Sequence, residues 1–135
     1  MKFSEMSKTD WMSLQLYFDT CILPISGLKG NEAPWQMADQ LERLRDALDA
    51  VEIPFKGRVV TLPAVQYRTA EDEQFVLHIS EIAANCKSGG FKHVIAVSGC
   101  ADLINLSFEH VDLFLVSPQK NQALELVANL WLNQD

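Results

Sequence analysis

The sequence lacks the features that mark membrane and secreted proteins. It contains no apolar run of the roughly 18 to 20 residues needed to cross a bilayer. Its first residues, Met1 to Met6, lack the apolar core and small-residue cleavage site of a secretory signal. We therefore expect a cytoplasmic protein with no transmembrane segment. The length of 135 residues, with 48% hydrophobic and 21% charged residues, predicts one globular domain, 1–135.

Cysteine is scarce, and its spacing excludes several kinds of site. The three cysteines are Cys21, Cys86 and Cys100. They are odd in number and form no Cys-x-x-Cys pair, so we expect reduced thiols rather than a disulfide framework. The sequence also has no metal-ligand spacing, and we expect no metal and no cofactor. The three histidines, His78, His93 and His110, are interpreted as surface or boundary residues.

The motifs of nucleotide enzymes and hydrolases are missing as well. There is no phosphate-loop signature and no Gly-x-Gly-x-x-Gly. Ser98-Gly99-Cys100 is not a nucleophile elbow, because that motif also needs a glycine two places before the nucleophile. The net charge of -7 makes the protein acidic and disfavours nucleic acid as a partner, since phosphates are bound by clustered lysine and arginine.

The pattern that is present alternates strands with helices. Apolar and β-branched runs predict strands at 18–26, 58–62, 94–97 and 111–116. Helical spacing predicts helices at about 33–51, 70–88 and 119–133, and a short helix after Ser7. The side chains expected to face the core are Trp11, Met12, Leu14 and Tyr17 in the short helix, Met37, Leu41, Leu44, Leu48 and Val51 in the next, Phe75, Ile79, Ile82, Ala83 and Cys86 in the third, and Leu124, Val127, Ala128 and Trp131 in the last.

This alternation predicts a three-layer α/β/α domain with a mainly parallel sheet of about four strands, Rossmann-like or flavodoxin-like in outline. Right-handed crossovers favour the strand order 2-1-3-4, which places the 18–26 strand inside the sheet. The short connection before the last strand leaves an antiparallel last strand as an alternative. Pro24 has no N–H to donate, so the first strand either ends there, bulges there or lies at an edge beyond Leu23.

The amino-terminal residues resemble a known family. The resemblance is carried by Lys2-Phe3, Asp10-Trp11, Tyr17-Phe18-Asp19-Thr20, Ile22 and Leu23-Pro24, and it is most specific over about residues 2–26. On these residues the chain looks like the YpiF-like family of small bacterial proteins, a domain of unknown function from the Bacillus and Staphylococcus side of the Gram-positive bacteria. The resemblance implies a compact cytoplasmic bacterial protein and transfers no catalytic residue.

Small and polar residues follow the predicted strands. Ligands of open parallel sheets bind at the carboxyl ends of the strands, so these residues are the candidate ligand site. The alternative is that they only form turns, which are rich in serine and glycine. Cys100 has no base near it in sequence that would activate its thiol. The candidate residues are Ser26, Gly27, Ser98, Gly99, Cys100, Asp102 and Ser117.

Two acidic residues are candidates for a structural or an alternative enzymatic role. Asp19 begins an apolar strand, so its carboxylate must meet solvent or find donors. Residues 112–118 and 123–126 are faintly similar to the last strand and helix of nucleoside deoxyribosyltransferase-like proteins, in which the helix presents a carboxylate nucleophile to the sugar. Glu125 would be that carboxylate. The glycine and threonine that open the family's helix are missing here, which favours a solvated residue.

The absence of catalytic motifs favours a non-enzymatic module that acts as a ligand-binding regulator or through a protein partner, including a second copy of itself. The ligand is unknown, and a small-molecule enzyme of the deoxyribosyltransferase type is the alternative. Exposed aromatic side chains would be the natural anchors of a protein contact. Core packing is the alternative for most of the candidates, which are Trp11, Trp35, Trp131, Phe55 and Phe108.

Overall fold

The computed structural model describes residues 1–68 and 71–133. The strands are β1 (Thr20–Leu28), β2 (Val59–Thr61), β3 (Val65–Tyr67), β4 (His93–Ser98) and β5 (Leu113–Val116). The helices are α1 (Lys8–Leu14), α2 (Pro34–Glu52), α3 (Asp72–Ser88) and α4 (Lys120–Leu132), and 3-10 turns lie at Phe3–Glu5 and Ala101–Leu103. The strands form one five-stranded sheet in the order β2-β1-β4-β5, and β3 also pairs with β1.

The predicted architecture is confirmed. Every pairing in the sheet is parallel, including that of the last strand, in which Leu113 lies opposite Ile95 and Val116 opposite Ser98. The order β2-β1-β4-β5 is the predicted 2-1-3-4 order of the four strands expected from the sequence. Helices cover both faces of the sheet and complete the three-layer α/β/α arrangement.

Alternation along β1 supplies both halves of the core. All nine residues of this strand are buried. Cys21, Leu23 and Ile25 point to the face that α3 covers, where they meet Phe75 and Ile79. The residues of β1 between them face the layer formed by α2 and α4. The buried members of that second cluster are Ile22, Ala47, Ala50, Val51, Val59, Ile95, Val97, Leu115, Ala123 and Val127.

β1 extends two residues beyond its predicted end at residue 26, and β3 was not predicted. β1 runs through Pro24 and ends at Leu28, with Pro24 opposite Val97 of β4. The Ile22 carbonyl accepts the Leu62 N–H at 2.9 Å, so Ile22 presents its backbone to the β2 side. Backbone direction alternates along a strand, and the missing N–H of Pro24 therefore lies on that side too. Pairing there is interrupted between β2 and β3, so the sheet loses no hydrogen bond.

The expected helix faces need correction in α1, α2 and α4. In α2 and α4, Leu41 and Leu124 are 40% and 39% exposed, Ala128 is exposed, and Ala47, Ala50 and Ala123 take the contact positions instead. Small side chains suit these positions because α2 and α4 pack on the same face of the sheet. In α1 and just after it, Met12 and Tyr17 are each 67% exposed. No helix within the described residues is both long and apolar enough to span a membrane.

A polar network fixes the amino end of β1. The Arg58 guanidinium donates to both Asp19 oxygens, at 2.9 and 3.0 Å, and lies 4.0 Å from the centre of the Trp131 ring. The Trp131 indole N–H donates to the Thr20 hydroxyl at 2.9 Å, and this hydroxyl donates to Asp19 at 3.0 Å. Burial by itself raises the pKa of Asp19, but hydrogen bonds from Arg58 and Thr20 outweigh it and leave that pKa lowered. The network joins β1, the start of β2 and α4.

Two glycines allow close approach at the carboxyl end of β1. Gly27 has φ +77°, and a Cβ on it would lie 2.9 Å from both Cβ and Sγ of Cys100. A Cβ on Gly99 would lie 2.5 Å from the Arg43 carbonyl carbon and 2.7 Å from the Leu44 nitrogen. The chain after β4 therefore packs directly on the backbone of α2, and only glycine fits there.

Replacing Arg58 by lysine tests the network at the amino end. Lysine keeps the charge but loses the two-pronged donation to Asp19 and the planar stacking on Trp131. We expect the free energy of unfolding in urea to fall by about 1–2 kcal/mol. Arg43→Lys is the control, because its ion pair with Asp39 is 59% and 52% exposed and should change stability by less than about 0.5 kcal/mol. If the two substitutions lowered stability equally, the Asp19–Arg58 network would not be what stabilises the amino end of β1.

Gly99→Ala tests the close approach between the chain after β4 and α2. The added methyl group overlaps backbone atoms, which cannot rotate away, so we expect a loss of about 1–3 kcal/mol in urea unfolding. Gly57→Ala is the matched control, since a Cβ there meets no atom within 4 Å. It should change stability by less than about 0.5 kcal/mol. A neutral Gly99→Ala would mean that α2 does not pack on this loop.

Candidate functional site

A crevice of about 540 Å³ lies at the carboxyl edge of the sheet, between the ends of β1 and β4 and the first half of α2. The chain leaves β1 for β2 on one side, whereas β4 and β5 lie on the other, so the connections diverge between β1 and β4. Such a divergence is the place where open parallel sheets bind ligands. The lining residues are Gly27, Lys29, Asn31, Glu32, Trp35, Gln36, Asp39, Gln40, Arg43, Cys100 and Asp102.

Only some of the candidate residues from the sequence line this crevice. Gly27, Cys100 and Asp102 do. Ser26 and Ser98 are fully buried beneath it. Gly99 is buried between them and α2.

The three candidate serines hold the loops around the crevice in place. The Ser26 hydroxyl donates to the Gln66 carbonyl, which ties β1 to β3. The Ser98 hydroxyl accepts the Cys100 N–H at 3.1 Å, so it shapes the turn that follows β4. Ser117 is exposed, with φ 44°, and its N–H donates to the Ser98 carbonyl at 2.8 Å. Through these hydrogen bonds the three serines hold the segments around the crevice in place.

The loop after β1 is closed by one of its own side chains. The Glu32 carboxylate accepts the N–H groups of Lys29 and Gly30, each at 2.8 Å. The Lys29 N–H contributes most to the lowered pKa of Glu32. Paired backbone N–H groups in a loop like this one bind anions in many proteins. Here both N–H groups already donate to the Glu32 carboxylate, so neither is free to bind a phosphate.

The helical wall is polar and carries one exposed aromatic ring. Trp35 is 71% exposed at the start of α2. Gln40 donates from its side-chain amide to the Ser26 carbonyl at 3.1 Å, which fixes the helix against β1. Asp39 and Arg43 form an ion pair of 3.2 Å one helical turn apart. Asp102, on the opposite loop, has no ion-pair partner in the described part of the chain.

The charges that line the crevice nearly balance. The cations are Lys29 and Arg43, and the carboxylates are Glu32, Asp39 and Asp102. Two of the three carboxylates are engaged, Glu32 with the backbone and Asp39 with arginine. The arrangement therefore favours a neutral or weakly charged polar ligand over a strongly anionic one.

The crevice lining contains carboxylates but no histidine among the described residues. The half-buried Cys100 thiol therefore has no imidazole beside it that could act as its base. Asp19 lies at the opposite, amino edge of the sheet, bound to Arg58. Glu125 is exposed on α4 and is not a lining residue. His93 is buried at the start of β4, whereas His78 and His110 are exposed.

α2 contributes a wall of the crevice that was not predicted from the sequence. Asp39 and Arg43 are not among the side chains expected to face the core, yet both line the crevice. The sequence did contain a signal for this wall, because residues 27–32 connect the buried strand β1 directly to this helix. A second groove of about 600 Å³ runs along the other side of α2, beside Leu41 and Ile53, but it lies away from the strand ends.

Comparison with known proteins gives a family. The family described as "Protein of unknown function (DUF2487)" matches residues 9–117. Neither the curated proteins nor the solved structures contain a match to this chain. The matched range includes all five strands and every residue that lines the crevice, whereas α4 lies outside it. The chain belongs to the DUF2487 family of proteins of unknown function.

Proposed function

We propose that this protein is a non-enzymatic ligand-binding module that holds a small polar ring compound, a nucleoside or a sugar, in the crevice at the carboxyl edge of the sheet. The observation that carries the proposal is the exposed Trp35 ring beside the crevice where the connections from β1 and β4 diverge. Flat rings and the apolar faces of sugars both stack on indole. A regulatory role for the bound state is part of the same proposal.

The polar groups of the crevice support this class of ligand. Asp102 has a carboxylate that can accept hydrogen bonds from hydroxyl or amino groups, and Gln36 adds a side-chain amide. Two features disfavour phosphate: the lining charges nearly balance, and the Lys29 and Gly30 N–H groups already donate hydrogen bonds to Glu32. We therefore expect nucleosides to bind better than nucleotides.

The finer identity of the protein rests on the sequence resemblance. We propose a cytoplasmic bacterial protein of the YpiF-like type, supported by the amino-terminal residues 2–26. One folded domain, 1–135, is part of the same proposal. The deoxyribosyltransferase alternative receives no support from the crevice, because Glu125 lies on α4, outside both its lining and the range of the family match.

A protein contact is the second candidate function, and it has its own observation. Of the aromatic residues considered as anchors, Trp35 alone is exposed, and Phe108 is 7% exposed. The residues around the end of α1 are better candidates, since Leu16 is 89% exposed and Met12 and Tyr17 are each 67% exposed. Apolar side chains that stand together on a surface often mark a contact site.

A thermal-shift panel tests the ligand proposal. Nucleosides, nucleotides, monosaccharides, sugar phosphates, flavins and divalent metals would each be added to the purified protein. A ligand at about 100 times its dissociation constant stabilises the folded state by roughly 2.7 kcal/mol, which raises the melting temperature by several degrees. We expect such a shift with a nucleoside or a sugar, and a smaller one with the corresponding phosphate.

Matched variants connect the shift to the crevice. Trp35→Ala and Asp102→Asn should remove most of it. The controls are Tyr17→Ala, an aromatic of similar exposure outside the crevice, and Asp46→Asn, on the outer face of α2. A flat panel, or a shift that survives both crevice substitutions, would contradict the proposal. A flat panel combined with a dimer or a partner lost in Leu16→Ser would favour the contact at α1.

A further inference from the structure

Two of the three cysteines meet in the core on the face of the sheet opposite α2. Cys21 lies in β1 and is fully buried, and Cys86 lies in the last turn of α3 and is half-buried. Cys86 packs against the same apolar cluster that contains Cys21. The Phe91 N–H donates to the Cys86 carbonyl at 3.2 Å and the Lys92 N–H to the Asp19 carbonyl at 2.8 Å. The end of α3 therefore lies beside the amino end of β1, where Cys21 points to the face that α3 covers. Residues that are 65 positions apart in the sequence therefore form a dithiol.

The pair is electronically unequal. Interaction with the neighbouring Cys21 thiol lowers the pKa of Cys86 to about 7. Interaction with Cys86, together with burial, raises the pKa of Cys21. The carboxyl end of α3 disfavours a thiolate, so the neighbouring Cys21 thiol is what stabilises it. A thiol with an ordinary pKa of about 8.5 is only a few per cent ionised at neutral pH, so the lowered pKa gives Cys86 a larger thiolate fraction.

The charges beside the pair are compensated. Asp112 is the nearest acid to act on Cys21. Its carboxylate accepts from Lys87 at 3.0 Å and from the Val94 N–H at 2.8 Å. Because Lys87 pairs with Asp112, this carboxylate does not act on the thiol pair as an uncompensated charge.

We propose that Cys86 is a peroxide-reactive thiol and that Cys21 resolves it into a Cys21–Cys86 disulfide. The Cys86 thiolate attacks one oxygen of hydrogen peroxide, the O–O bond breaks, and the leaving hydroxide takes up a proton to become water. Cys86 is then a sulfenic acid. The Cys21 sulfur attacks the Cys86 sulfur, the S–O bond breaks, and the hydroxide leaves as water with the proton of Cys21. Two thiols lose two electrons, and one peroxide is reduced to two waters.

Cys100 provides an internal comparison. It is half-buried like Cys86. It lies beyond Ser98, whose register partner Ile25 is four residues along β1 from Cys21, a distance of roughly 13 Å. The Cys100 thiol therefore has no resolving partner within reach. If exposure alone determined oxidation, Cys86 and Cys100 would react alike.

The experiment oxidises the full-length reduced protein with a small excess of hydrogen peroxide, blocks the remaining thiols with an alkylating reagent, and maps the cysteine peptides by mass spectrometry. We expect a peptide pair joined through Cys21 and Cys86, with Cys100 alkylated. In the reduced protein at pH 7, Cys86 should be alkylated roughly tenfold faster than Cys100. Cys100→Ser should leave the disulfide unchanged.

The two partners are distinguished by separate variants. Cys21→Ala should stop the oxidation at a Cys86 sulfenic acid, which dimedone traps. Cys86→Ser should leave Cys21 unoxidised, since the buried thiol does not meet peroxide by itself. Circular dichroism would establish that each variant is folded, and the wild-type peptide map decides the question if Cys21→Ala does not fold. A map without the Cys21–Cys86 pair, or a Cys86 that reacts no faster than Cys100, would overturn the proposal.

Discussion

The structure depends on one strand that is buried along its whole length. β1 must form hydrogen bonds with neighbours on both edges and contact helices on both faces, because none of its residues meets solvent. Pairing on the β2 side is interrupted opposite Pro24, where β1 has no N–H to donate. At its amino end, a polar network led by Asp19 and Arg58 anchors the strand to β2 and α4. At its carboxyl end, close packing at Gly27 and Gly99 holds the strand instead.

The carboxyl end of β1 shows how packing creates a crevice. Gly27 and Gly99 let the chain after β4 lie directly against β1 and the α2 backbone. This tight contact brings the beginning of α2 over the point where the connections diverge, with Trp35 and the polar residues of its wall around the opening. The thiol pair formed by Cys21 and Cys86 lies toward the opposite end of the strand. Ligand binding and thiol chemistry can therefore be tested separately.

The sequence was sufficient for the parts of the fold that long apolar runs specify. The strand order and parallel sheet followed from such runs, whereas β3 was missed because Val65–Tyr67 is a half-exposed run of three residues after Pro63. Faces of α4 were misjudged because Leu124 is more apolar than Ala123, although only the smaller side chain fits between packed layers. The strand-end half of the crevice was predictable. Its helical wall and the thiol pair depend on tertiary contacts that spacing in the sequence does not reveal.

The central claim is that the carboxyl edge between β1 and β4 is the ligand site. The most direct measurement is a two-dimensional amide NMR titration of the isotope-labelled full chain with a mixture of nucleosides and monosaccharides. The account predicts that the amide signals of Gly27, Gly99 and Cys100 shift first, and that signals from the amino edge around Asp19 stay in place. Shifts confined to the groove beside Leu41 and Ile53, or no shifts with any compound, would contradict it.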